Sequence, residues 1–468
     1  MLWVVATAWA GGFTLVDSGV RAQGRAGAFV AGADDISGQW YNPAALANVR
    51  GTQVKLDLWA AQQSSTFDRE DLPGTNPFDE VESAASPVLE PAGGIVGRLG
   101  GLHPALANTT VAFGLSVPTG ADYAWPDDGA QRYALISSQI RQVLVGPSVA
   151  HELAPWLVVG ASVQYTLLKV DESLVSTLCN AEDPEACGSD NPSDDVRLDL
   201  SMDDPAKITG NAGILVRPAR WLSIGASVQP GVHFEASGDA TSTLNEANGT
   251  VRPYLTSDSF SDADATVVVD LPWTARIGVQ VAPTDRVRVE LAGTWTGWSE
   301  TDALRITDLD LALTTTEEGP LHGEAIVVTD DMSIATGFVD NWSLRLGGEW
   351  DAAAFLTLRA GVYGETAATP DTMANASVID ADKAGFAAGL TARAGKHLFV
   401  DASAVFTTFA DREVTTSGYA QPALYVDYNN NFSTTLGSGR SIGNGSYTSS
   451  VWVAGLGVGW TFGAPGGG

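Results

Sequence analysis

The chain is poor in the residues from which most catalytic and metal-binding sites are built. Its 468 residues include two cysteines, four methionines and five histidines. His103, His151, His233, His322 and His397 stand singly, without the paired-ligand spacing of a zinc or catalytic site. Cys179 and Cys187 share one acidic stretch and have no metal-ligand companions. In an exported protein the expectation for them is a disulfide that staples a loop. Cations are scarce as well, 25 Lys and Arg against 55 Asp and Glu, for a net charge of −30. This excludes the basic footprint that nucleic acid requires. Between Asp171 and Asp204 eleven acids accompany one base, Arg197. No spaced calcium-loop motif occurs there, so a solvated acidic loop is expected rather than a metal site. No run of 18 apolar residues exists, which leaves no helix to cross a membrane. Gly439-Arg440-Ser441-Ile442-Gly443 has nucleophile-elbow spacing but lies among Gly, Ser and Asn rather than between a strand and a helix. Gly455 to Gly459 opens no helix and so cradles no dinucleotide. No catalytic residue, cofactor or metal is expected.

What the chain does have is alternation. From Ala265 to Ser299, Val267, Val269, Leu271, Trp273, Ala275, Ile277, Val279 and Val281 fall on one face, with Asp270, Thr274, Arg276 and Gln280 on the other. Pro283-Thr284-Asp285 then makes a turn, and Val287, Val289, Leu291, Gly293 and Trp295 resume the pattern against Arg288 and Glu290. Period two means β-strand, and two such runs around a short turn mean an antiparallel hairpin. Each run is long enough to cross a bilayer as a tilted strand, which takes about 9–11 residues. Tryptophans near the strand ends suit an interfacial girdle, and charges on the other face need a wet or protein-filled lumen.

The same signal recurs near 52–62, 92–100, 109–120, 139–152, 156–170, 206–217, 220–235, 265–281, 286–298, 342–351, 355–365, 384–394, 397–410 and 448–462. Fourteen strands are thus expected, joined alternately by short turns and long polar loops, as in single-chain bacterial outer-membrane barrels. The fold class read from this is all-β transmembrane: a fourteen-stranded antiparallel outer-membrane β-barrel. Residues 51–463 form the barrel and 464–468 a C-terminal tail. Residues 1–10 are the remnant of a signal peptide, since Ala8-Trp9-Ala10 has the small-x-small form of a cleavage site. Residues 11–50 do not alternate. They mix small residues with Phe13, Leu15, Phe29, Trp40 and Tyr41, which want burial, and are expected to fold into the lumen as an N-terminal plug.

Several stretches carry a more specific likeness. Leu271-Pro272-Trp273, Pro283-Thr284-Asp285-Arg286 and Trp295-Thr296-Gly297-Trp298-Ser299 resemble the outer-membrane long-chain fatty acid transporter family (FadL type), which includes aromatic-hydrocarbon uptake channels. Gly11-Gly12-Phe13 resembles its mature start and Asn42-Pro43-Ala44 its plug motif. Val117-Pro118-Thr119-Gly120, Tyr123 and Arg132-Tyr133 resemble its third strand and following loop, and Leu344 to Trp350, Leu358 to Gly361, Pro370 and Asp380 to Asp382 its later strands. The resemblance implies a monomer that takes up hydrophobic small molecules, fatty acids or hydrocarbons, without an energy source. Capture between outer loops, an apolar pocket closed by the N-terminus and lateral exit at a kinked third strand are implied too. The substrate pathway would include Phe13, Leu15, Val16, Val117, Pro118 and Gly120. The other expected partners are outer-membrane lipid and lipopolysaccharide. Fatty-acid-carrying members place basic residues beyond the fifth strand and before the tenth, where this chain reads Asp171-Glu172-Ser173 and Val339-Asp340-Asn341. Neutral hydrocarbons or lipids are therefore expected over ionised fatty acids. A general diffusion porin and an outer-membrane lipase remain alternatives, separable by ion conductance and phospholipid hydrolysis.

Overall fold

The computed structural model describes residues 17–462 except 72–77, 102, 181–189, 191, 245–262, 302, 309–310, 315–324, 329–331 and 428–432. The signal remnant, Phe13, Leu15, Val16, Cys187 and the C-terminal tail lie outside the described residues. Cys179 is disulfide-bonded.

Alternation along the chain produces fourteen wall strands. They are β1 Thr52–Arg69, β2 Val88–Arg98, β3 Thr109–Ala124, β4 Ser137–Ala154, β5 Leu157–Asn180 and β6 Asp195–Ala219. Next come β7 (Leu222–Gln229, continued as Val232–Leu244) and β8 (Ala263–Leu271, continued as Thr274–Thr284). The circuit continues with β9 Val287–Thr296, β10 Asn341–Ala353, β11 Leu356–Glu365, β12 Lys383–Ala394, β13 Leu398–Phe409 and β14 Gly445–Phe462. Sequential neighbours pair antiparallel, and β14 pairs with both β13 and β1, the latter from Thr52↔Phe462 to Arg69↔Gly445. The sheet is therefore closed, the fourteen-strand barrel expected from the sequence. Closure pairs the first strand with the last and so removes the free edges an open sheet would present to lipid.

The two faces follow the alternation. On β14, Trp452, Ala454, Leu456, Val458 and Trp460 point outward, while Val451 and Val453 are buried inward. Outward rows of Leu56, Leu58, Ile277, Leu291, Leu344, Val362 and Leu456 would each forfeit about 1.5–3 kcal/mol if left in water; hydrocarbon is their solvent. Trp156, Trp221, Phe355, Trp460 and Phe462 gather at the short-turn end, with Trp273, Trp342 and Trp452 nearer the other. Trp452 and Trp460 are eight residues apart on a tilted strand, a separation of roughly 20 Å along the membrane normal, close to the apolar band of such barrels.

The structure departs from the sequence reading at the outer ends. β5 and β6 run on through residues read as an acidic loop, pairing from Leu157↔Val216 to Thr177↔Asp195. Here Val196, Leu198, Leu200 and Met202 point inward into a core with Leu168, Val170 and Phe234, while Asp199 and Asp203 face water. Polar residues at every second position, Arg197, Asp199, Ser201 and Asp203, hid a half-buried strand. Likewise Ala420–Asp427 and Ser433–Ser441, read as loop, form a hairpin laid parallel against the end of β5. The elbow-spaced Ser441 ends a strand in that hairpin, and its hydroxyl donates to the Ser417 carbonyl.

Candidate functional site

Residues 17–50 lie among inward side chains from opposite sides of the wall, nearly all of them buried. Their small size lets the chain turn tightly through helices Val20–Gln23 and Gly38–Tyr41 and the 3₁₀ turn Pro43–Asn48. Three consecutive amides, Val30 N, Ala31 N and Gly32 N, donate to the Glu290 carboxylate of β9 at 2.6, 2.8 and 2.9 Å. Arg25 Nη2 adds a fourth bond at 3.1 Å, and neither charged side chain is exposed. Lower down, Lys55 Nζ lies 2.5, 3.0 and 3.1 Å from Asp35, Asp57 and Asp401, with Arg21 Nε 3.0 Å from Asp401. Buried charges persist only when paired in this way.

Asn42, of the expected plug motif, caps the Pro43–Asn48 turn. Its Oδ1 accepts from Ala44 N at 3.1 Å, and its Nδ2 donates to the carbonyls of Val30 and Ile214 at 2.9 and 3.0 Å. The motif reaches the wall because Gly160 and Gly213 stand there: a Cβ on either would come within 2.2 Å of Ala44 N or 2.1 Å of Asn42 Oδ1.

Beside this segment is a cavity whose space, counted with the solvent open to it, is about 910 Å³. β7 and β8 break at Pro230-Gly231 and Pro272-Trp273, and Pro230, Val232, Leu271 and Pro272 line the space where they bend. Trp40, Tyr41, Trp298, Arg276 and Arg345 also line it. Arg345 is committed to Asp17 at 2.6 Å and Glu365 at 2.9 Å. Arg276 is 8% exposed, its guanidinium lies 4.8 Å from the Trp40 ring centre, and its Nη1 has no hydrogen-bond partner. Of six inward charges on β8 to β11, Arg288, Glu290, Arg345, Glu349 and Arg359 all have ion-pair partners; Arg276 has none among the described residues.

A second feature interrupts the wall. β2 pairs with β3 only from Gly93↔Leu115 to Arg98↔Thr110, although its Val88–Ala92 half still pairs with β1. β3 continues on β4 alone, with a bulge between Ser116 and Thr119 that takes in Val117 and Pro118. The edges meet again where Ala84 N donates to Ala124 O at 2.7 Å. Between those limits is a window. Val117, Pro118, Val88, Glu90 and Asp122 border a space of about 470 Å³ beside it, counted with the solvent open to it, and Trp59, Ala61 and Gln63 of β1 lie on the lumen side. Gly93 and Gly94 let β2 leave its neighbour. At φ of 158° and 152° any Cβ would lie 2.4 Å from Lys55 O or 2.2 Å from Phe113 O. The sequence reading found Val117, Pro118 and Gly120 and placed Arg276 on the inward face, but missed this glycine pair and Glu90.

A closed fourteen-strand barrel with an apolar outward face is the fold of an outer-membrane protein. A model of the family described as "Outer membrane protein transport protein (OMPP1/FadL/TodX)" matches residues 1–462, and the chain belongs to that family of outer-membrane channels for hydrophobic compounds. Its place is the bacterial outer membrane. The fold is similar to that of a FadL homologue from Pseudomonas aeruginosa (18% identity, TM-score 0.72, covering 97% of this chain and 100% of that one). It is also similar to the toluene transporter TodX of Pseudomonas putida (14%, 0.65, 96% and 99%). A third similar structure is the monoaromatic hydrocarbon channel CymD (15%, 0.61, 96% and 99%). A search of curated proteins gave no match.

Proposed function

We propose that the protein takes up hydrophobic compounds passively and releases them sideways. Molecules are caught between the outer loops and held in the cavity beside Trp40. Residues 17–50 act as a plug that bars the way to the periplasm, and the substrate leaves through the β2–β3 window. The supporting observation is the window: unpaired backbone is costly in lipid, so an interruption framed by Gly93-Gly94 and Pro118 and opening on the lumen side suits a route rather than a defect. Replacing Pro118 and Gly120 by Val should restore pairing and slow uptake of a radiolabelled alkane while the barrel stays folded. Wild-type uptake by that protein would refute the route.

Neutral hydrocarbons or uncharged lipids are the first reading of the substrate, because a leaving molecule passes Glu90 and Asp122. Arg276 favours a second. Asp171 bonds Lys169 and Ser201, and Asp340 bonds Trp295 and Ser299, so neither acid lines the cavity. An unpaired buried guanidinium there would instead welcome an acidic head. Comparing a long-chain fatty acid with its methyl ester decides: clearly tighter binding of the acid, lost in Arg276→Gln, selects the second reading.

A further inference from the structure

The backbone leaves the two edges of the window unjoined, yet four polar side chains join them. Asp122 of β3 accepts from Gln139 Nε2 at 3.2 Å, and Gln139 Oε1 accepts from Arg141 Nη1 at 3.3 Å. Arg141 Nε in turn donates to Glu90 Oε1 of β2 at 3.4 Å. Arg141 belongs to β4 and stands opposite Gly120 in the β3–β4 ladder. To reach Glu90 its side chain must cross β3, and it does so where Gly120 offers no side chain to obstruct it. On the other side Arg141 pairs with Lys169, four residues beyond the Val145↔Tyr165 pair and 61% exposed at its side chain. Lys169 is paired with Asp171 at 2.5 Å, and Arg141 lies level with it.

We propose that this chain is a strap across the outer mouth of the window, with Glu90 and Arg141 setting which molecules pass. The proposal rests on the lateral-exit reading. Two features give the strap its selectivity. Arg141 is 39% exposed at its side chain, and a pair that solvated is weak, so it parts often and slows exit rather than sealing it. Two carboxylates flank one guanidinium, so the rim carries a net negative charge at neutral pH and opposes a departing anion. Uncharged molecules pass; ionised acids are held back.

The test measures initial uptake of radiolabelled methyl palmitate and of palmitate at neutral pH, with the full-length protein in outer-membrane vesicles. Heat-modifiability on gels confirms folding of each variant. Arg141→Gln should raise ester uptake by up to about fivefold, the factor a weak ion pair can supply. Glu90→Gln should raise it similarly and increase the palmitate-to-ester ratio. The exchange Glu90→Arg with Arg141→Glu should return ester uptake to near the wild-type rate. If the Pro118→Val, Gly120→Val protein is slow while Glu90→Gln and Arg141→Gln leave uptake and ratio unchanged, the exit stands and the strap is refuted. If the Pro118→Val, Gly120→Val protein itself transports normally, the exit is refuted and the strap with it.

Discussion

Replacing Glu290 by Gln should release the N-terminal segment without unfolding the barrel. The wild-type carboxylate accepts three amide protons from Val30, Ala31 and Gly32 and one from Arg25, all out of water. Hydrogen bonds to a charged group contribute about 1.5–3 kcal/mol each and do not add. A glutamine keeps one acceptor oxygen but turns an NH₂ toward either the Val30 and Ala31 amides or the Gly32 amide and Arg25, so two bonds become clashes of donors. Arg25 also loses its closest carboxylate, and breaking a buried pair costs about 3–5 kcal/mol. Glu349 nearby, shared with Arg359 and Arg288, returns part of that. A net loss of about 3 kcal/mol is expected, which multiplies opening of the segment roughly 100-fold. Wall ladders β8–β9 and β9–β10 do not depend on the side chain. Amide hydrogen exchange of residues 25–33 in detergent reads the change directly, and single-channel conductance reads its effect on the lumen. Unaltered protection of Val30, Ala31 and Gly32 would refute the reasoning.

Three further outcomes are expected. Asn42→Ala removes three hydrogen bonds and the cap of the Pro43–Asn48 turn, so it should destabilise the segment by about 2 kcal/mol and speed its cleavage by protease. Gly94→Ala places a Cβ 2.2 Å from Phe113 O and should impair barrel assembly, seen as loss of the heat-modifiable gel form; the same change at exposed Gly395, φ 70° with open space around it, should cost about 1 kcal/mol and leave assembly intact. Burial pushes the Asp380 carboxyl, in the loop between β11 and β12, up to about 6, against Lys383 and the amides of Thr369 and Ala368. A raised carboxyl pKa means the loop is more stable below about pH 4 and loses that increment as pH rises through 6. Exchange in residues 366–382, corrected for intrinsic rates, should quicken across that window and become flat in Asp380→Asn.

The wall was legible because each strand repeats one two-residue pattern between lipid and lumen, and all fourteen were placed by it. Alternation misled at the outer ends: where the outward face carried Asp199 and Asp203, the inward Leu198, Leu200 and Met202 were read with their neighbours as loop, and so was the hairpin of Ala420–Asp427 and Ser433–Ser441. Asn42-Pro43-Ala44 was visible as a motif, but not that Gly160 and Gly213 make room for it, because those contacts join residues more than 100 positions apart. Pro118 and Gly120 announced an irregular third strand. Gly93-Gly94 gave no such signal: their extended backbone looks ordinary until the flanking strands forbid a Cβ. Arg276 was one inward charge among six, and only the packed lumen separates the one without an ion pair from five that have one.

The central claim is that a hydrophobic molecule crosses the lumen and leaves between β2 and β3. Val88 and Val117 border the window from its two sides, so cysteines at these positions, joined by a short thiol-reactive linker, would close it with the barrel intact. Uptake of radiolabelled alkane by vesicles carrying this protein should fall to the background of protein-free vesicles when the bridge forms and recover when a cleavable linker is cut. Undiminished uptake through the bridged protein would contradict the account.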